Sequence, residues 1–209
     1  MDISQPLSVL IPQVCARAEN LLGRNVQIAQ YRFGFYRIPF DVKDNEEGLV
    51  LQIWLSDLAS EHFPHEHRYH LRARVLKGAI TKHLWEVKSD AQGSHQTVRE
   101  ICHDSSRRDA EVAGRVSVSC IETKKFEAGD LYEIPFGQIH SSTINSFPTV
   151  TIVDRTNTGD ASGPIHYAPI ENNGVNLKEY DLFGNHDNEK ASQAIRSVLN
   201  ELSLASNRK

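Results

Sequence analysis

The chain has 209 residues and a mass of 23.6 kDa, a length that suits one domain with a buried core. A hydrophobic fraction of 39% and a charged fraction of 24% are ordinary for a folded soluble protein and exclude wholesale disorder. A formal net charge of -4 and a pI near 6.2 supply no concentrated positive field, so neither nucleic acid nor an anionic membrane is expected as a partner.

Leu7, Leu10, Val14, Ala18, Leu21 and Leu22 recur at three- and four-residue intervals, which predicts an amphipathic helix over 7–22. It ends at Gly23, and Pro12 weakens its first turn. The period then changes. YRFGFYRIPF, LVLQIWLS, HEHRYHLRARVL, AITKHLWEV, RVSVSCIE, LYEIP and TVTIVD are short, rich in β-branched and aromatic residues, and close to two-residue alternation, the pattern of strands. Turn signals at Lys77-Gly78 and Gly129-Asp130, with no helical segment between strands, argue for an antiparallel sandwich or barrel over about 30–160. Residues 88–114 are the most polar interior stretch and read as a hairpin excursion, with a further strand at 95–103, placed to cover a cavity mouth. From Asn188 the helical period returns: Ala191, Ile195, Val198, Leu199 and Leu202 share one face, which predicts a helix over 188–205, capped at Asp187 or Asn188, packed outside the β-structure. Residues 1–209 thus read as a single domain. Cys15, Cys102 and Cys120 are odd in number and form no Cys-x-x-Cys pair, so reduced thiols are expected, with Cys102 and Cys120 as small buried residues in strands. The opening MDISQPLSVLIPQVCARAEN lacks a basic n-region, and no stretch approaches the roughly 18 apolar residues of a membrane span; the expectation is a cytoplasmic protein.

The segment Phe63-Pro64-His65-Glu66-His67-Arg68-Tyr69-His70 carries the chemistry. Residues two apart in a strand project from one face, so His65 and His67 can chelate one ion. A third ligand can come from a returning segment, Gly129 to His140, whose well-placed donor is His140. Tyr69 shares the ligand face by parity, as do Leu71 and Ala73; its hydroxyl is a candidate for orienting substrate, the alternative being a tyrosine that fills the barrel. His70, Arg72 and Arg74 fall on the opposite face as a positive stripe unless a bulge turns Arg72 inward, where it would clamp a substrate carboxylate. Arg155, after TVTIVD, is placed to reach a pocket mouth. His62 and His83 are candidate partners of the ligands, His95 and His103 read as solvent-facing, and Trp54 and Trp85 as core or barrel wall.

Two segments resemble the cupin motifs: His65-x-His67 with Gly78 resembles the first, and Gly129, Pro135, Gly137, His140 and Asn145 resemble the second. The resemblance spans 65–145, with flanking strands roughly 48–156. It implies an all-β fold, an antiparallel double-stranded β-helix (a cupin or jelly-roll barrel) with N- and C-terminal helices, and His65, His67 and His140 as metal ligands. Cupins commonly add a glutamate seven residues before the first motif's glycine; here that position is Leu71, followed by Arg72, with no carboxylate. The departure resembles the three-histidine cupins, among them the thiol dioxygenases, which HEHRYHLRARVLKGAI resembles locally, and also a group of small bacterial cupins of unassigned function.

Three neutral imidazoles leave a divalent ion its full charge and open positions, which favours a chelating anion. The expected function is therefore a metal-dependent dioxygenase acting with dioxygen on a small anionic substrate, thiol oxidation being the leading example. Fe2+ is the expected metal, with Zn2+, Ni2+ or Mn2+ as alternatives, and the protein is expected to form a homodimer. The rival readings are an oxygen-independent isomerase or lyase, with His70 or Tyr132 as base, and a non-catalytic small-molecule-binding protein.

Overall fold

The computed structural model describes residues 1–24, 28–31, 34–43, 47–55, 63–102, 108–157, 164–170 and 188–206. Helix α1 runs Leu7–Leu22 and helix α2 runs Asn188–Ser206. Between them the described residues form twelve strands: β1 (Ala29–Tyr31), β2 (Phe35–Val42), β3 (Gly48–Trp54), β4 (His65–Glu66), β5 (Tyr69–Lys77), β6 (Ala79–Ser89), β7 (His95–Cys102), β8 (Arg108–Glu127), β9 (Leu131–Ile134), β10 (His140–Ile144), β11 (Thr149–Asn157) and β12 (Ile165–Pro169).

All the pairings are antiparallel. One sheet has the order β1-β2-β3-β11-β5-β9; the second, β10-β4-β12-β7-β8-β6, closes on itself where β6 pairs with β10. From β3 the chain passes to the second sheet at β4, back at β5, across at β6 and β8, back at β9, across at β10 and home at β11. That winding is a jelly roll, a double-stranded β-helix, and the fold is all-β with a helix at each end. The polar excursion after β6 is the hairpin of β7 and β8, and β12 joins it to β4. Gly78 turns β5 into β6 at φ +80°, where an added Cβ would lie 2.3 Å from the Thr149 hydroxyl oxygen, so the tight corner needs glycine.

Alternation gives the first sheet two different faces. Outward-facing Tyr36, Ile38, Leu49, Leu51, Ile53 and Ile152 pack against Leu10, Val14 and Ala18 of α1 and Ile195, Leu199 and Leu202 of α2. Each fully buried aliphatic side chain in this layer contributes roughly 1.5–3 kcal/mol. The helices also meet each other, with the Cys15 thiol donating to the Leu199 carbonyl at 3.6 Å and Arg196 reaching Glu19 at 3.3 Å. Pro12 is accommodated on the exposed side of α1, and Gly23 stays right-handed at φ -69°, so α1 ends without the left-handed glycine turn its sequence suggests. Inward-facing Phe35, Trp54, Leu71, Ala73 and Val153 form a second core inside the jelly roll. Among the described residues, no helix is long and apolar enough to cross a membrane.

Candidate metal centre

The histidine segment is not one strand. His65 and Glu66 form β4 in the second sheet, the chain crosses at His67 and Arg68, and Tyr69 opens β5 in the first sheet. β4 lies between β10 and β12, in a register that sets His65 opposite His140 on one side and His166 on the other. The rings of His65 and His140 are 4.5 Å apart, and those of His67 and His140 5.0 Å. One donor atom from each of His65, His67 and His140 lies within 4.8 Å of the others. Two metal–nitrogen bonds of ~2.1 Å at a near-tetrahedral angle span ~3.4 Å, so the widest pair must draw in by more than an ångström to share an ion.

Hydrogen bonding selects the donor atoms. His65 Nδ1 lies 2.9 Å from the Phe63 carbonyl oxygen and His140 Nδ1 3.1 Å from that of Gln138. A carbonyl only accepts, so both Nδ1 atoms carry the proton and both Nε2 lone pairs are left for a metal. Burial, then the neighbouring His140, holds His65 well below the ordinary imidazole value, and the same two causes act on His67. Burial, then the Lys82 charge, brings His140 down to about 3. Three neutral imidazoles converging, with no carboxylate grouped with them among the described residues, form a donor set that suits a divalent transition metal. His166, 3% exposed, stacks behind His65 at 5.7 Å and disfavours a further positive charge there.

The cluster opens into a cavity of about 100 Å³, room for several waters or one small molecule. Tyr69 lines it and stacks on His67 at 5.0 Å, with planes 11° apart; the Arg155 guanidinium sits 5.2 Å over the other partner in that stack, the Tyr69 ring. Arg155 is only 4% exposed, so it lies inside the cavity and not merely at its mouth. Lys82 enters from the second sheet: its ammonium donates to Ser142 Oγ at 2.7 Å and rests 4.8 Å over the Tyr132 ring. Burial lowers the Lys82 amine to about 7 and pushes the Tyr132 phenol up, which makes Tyr132 a poor base.

Several sequence expectations land elsewhere. Arg72 does not line the cavity: with no bulge at Leu71, it falls on the opposite face of β5 and meets Glu133 at 3.6 Å, beside His70 at 3.8 Å. Neither the carboxylate clamp at Arg72 nor the base at His70 is therefore within reach of the histidines. His83 binds Thr123 and Thr143 on the barrel exterior. Trp54 is buried in the inner core, and Trp85 donates to Ser141 at 2.9 Å. Cys120 is exposed and not a buried strand residue, because this stretch of β8 faces solvent. His62, His103 and Asp187 lie outside the described residues, as does the side chain of Cys102. Sequence reasoning missed Lys82 and His166. Lys82 was findable, since it shares parity with Ile80, whose side chain lies in the inner core. His166 gave no such signal, because the strand that carries it is short and ends in proline.

No protein-family model matches the chain, and no curated protein matches it. Among solved structures it is similar to an RmlC-like cupin from Shewanella frigidimarina, at 16% identity over 66% of this chain and 90% of that one, TM-score 0.37. It is also similar to KdgF from Halomonas sp., at 11% identity over 72% and 92% of the two chains, TM-score 0.34. A third is YcfD, a ribosomal oxygenase from Escherichia coli, at 13% identity over 54% and 23%, TM-score 0.32. The chain spans about a quarter of the length of YcfD. At scores this low the likenesses carry no argument about chemistry, and the jelly-roll assignment rests on the strand pairings themselves.

Proposed function

We propose that the protein is a metal-dependent oxygenase of the three-histidine cupin type, holding iron(II) on His65, His67 and His140 and acting on a small anionic chelating substrate. The observation that supports it is the convergence of three neutral imidazole donors, two of them fixed as Nδ1–H tautomers, at the wall of a small cavity. When bound, iron(II) would supply Lewis acidity for an anionic donor and redox chemistry with dioxygen; zinc, nickel and manganese fit the same nitrogen donors. Thiol oxidation is the leading example, since a thiolate plus dioxygen gives a sulfinate with both oxygen atoms retained and no external reductant.

The chain's own residues supply the setting. The Phe63 and Gln138 carbonyls hold two imidazoles in orientation, and the Tyr69 stack braces the third. Leu71, Val153 and Trp54 give the cavity an apolar wall that limits water. The test is to purify the protein anaerobically, reconstitute it with iron(II), and measure metal content and oxygen uptake with thiols, diketones and small carboxylates, using His140→Ala as control. Uptake that depends on one substrate class and is lost in His140→Ala supports the oxygenase. Metal binding with no oxygen uptake replaces it with an isomerase or a receptor, and an inability to hold any metal removes the reading altogether.

A further inference from the structure

Beyond the histidines, the cavity contains a feature that the proposed chemistry does not use. Its wall includes three basic residues, Arg37, Lys82 and Arg155, and among the described residues that line it there is no aspartate or glutamate. Lys82 and Arg155 come from opposite sheets, on β6 and β11, and face the same space. Each is held by an aromatic face, Lys82 over Tyr132 and Arg155 over Tyr69, and Lys82 is further tied to Ser142. Both line the same cavity as the three histidines, and Arg155 lies over the Tyr69 ring that stacks on His67, which places them around the candidate ligands and not at a remote rim. Desolvating two cations beside a divalent-metal site is unfavourable unless an anion enters with the substrate.

We infer that Lys82 and Arg155 form a second anion subsite inside the histidine cavity, so that the substrate is a small bifunctional acid with one donor for the metal and a distal carboxylate held between these two side chains. Arg155 offers a planar fork to the carboxylate and Lys82 a point charge from the facing sheet. A cavity of about 100 Å³ limits the spacer between the two groups to a few carbon atoms. The metal-facing half of this substrate rests on the proposed function; the carboxylate half does not, and it can be tested without a metal.

The experiment uses calorimetry on the full chain with four probes, on the wild type and three variants. Zinc-loaded protein, in which no oxygen chemistry intervenes, is titrated with mercaptoacetate and with ethanethiol, which lacks the carboxylate. Metal-free protein is titrated with propionate and with inorganic phosphate. Mercaptoacetate is expected to bind at least tenfold tighter than ethanethiol. Lys82→Gln and Arg155→Gln should each remove most of that advantage while zinc content stays at the wild-type level, and Lys82→Arg should keep it. If one variant fails to fold, the other and Lys82→Arg carry the comparison. Equal affinity for the two thiols in wild-type protein, or an unchanged ratio in the folded Gln variants, overturns the subsite and leaves the metal reading standing. Should the protein hold no zinc yet bind propionate in a manner that depends on Lys82 and Arg155, the metal reading falls and the subsite stands. Preference for phosphate over propionate overturns the carboxylate assignment, and absence of both zinc and propionate binding overturns the subsite itself.

Discussion

His65 and His140 are direct partners across the pairing of β4 with β10, and each sends its Nδ1 proton to the carbonyl two residues before it. The two ligands are thus fixed by the same local device on neighbouring strands, and the backbone that spaces them also sets their tautomers. Since the acceptor is main chain, no side-chain substitution removes it; the accessible perturbation is the imidazole itself. His140→Ala is expected to weaken zinc or cobalt binding by at least about 100-fold, more than the roughly 10–100-fold typical of losing a supporting contact. Chelator competition measures this, and near-wild-type affinity would show that His140 is not a ligand.

Proton linkage follows from the same burial. In the metal-free chain His140 has a folded value of about 3 against an ordinary 6.5, so between these limits the unfolded chain binds more protons than the folded one. Stability therefore rises with pH across that window and is lost as pH falls. The melting temperature of metal-free protein should drop on going from about pH 7 to about pH 4, and His140→Gln should flatten the slope. Thermal melts that are level across this range would contradict the assignment of His140 as a buried neutral imidazole.

Two glycines separate conformation from space. Gly78 and Gly137 both have positive φ, +80° and +73°, but an added Cβ at Gly78 meets Thr149 and Pro148 within 3 Å whereas at Gly137 nothing lies within 4 Å. Gly137→Ala should destabilise by about 1–2 kcal/mol from backbone strain alone, and Gly78→Ala by more than that, about 3 kcal/mol or above. Urea melts of the pair give the comparison, and equal effects would mean that the β5–β6 corner relaxes freely.

The thiols divide by environment. Burial pushes Cys15 up to about 11, and its Sγ is engaged between the helices, while Cys120 is exposed. Under native conditions Cys120 should alkylate quickly and Cys15 only on unfolding, read by peptide mass spectrometry. Fast native labelling of Cys15 would mean that α1 and α2 separate readily.

Arg72 offers a negative control. Its pairing with Glu133 is half exposed, so Arg72→Gln should change stability by no more than about 1 kcal/mol and leave metal content as it was. A loss of metal in this variant would place Arg72 nearer the histidines than the β5 face allows.

Much of this architecture was legible from periodicity. The spacing of Leu10, Val14 and Ala18 marks α1, and that of Ile195, Leu199 and Leu202 marks α2, because one-sided burial imposes the helical repeat. Most strands announced themselves by alternation, and parity alone put Tyr69, Leu71 and Ala73 on the cavity side. β10 escaped because HSSTI is mostly polar, its hydroxyls serving neighbours such as Trp85 and Lys82 in place of an apolar core. The change of sheet at His67 was also hidden: a strand that crosses between layers keeps its alternation, so sequence cannot tell one strand from two. Lys82 drew no attention although its parity with Ile80 marks the inward face of β6, because lysine is ordinarily a surface residue.

The first sheet works as a party wall. Its outer residues, such as Leu51 and Ile152, pack with the helices, and its inner residues, such as Tyr69 and Arg155, line the cavity. Selection on the two sides can therefore proceed separately: the inner wall can drift toward a new ligand while the helical layer keeps the molecule folded, and a thermally hardened helical layer need not disturb recognition.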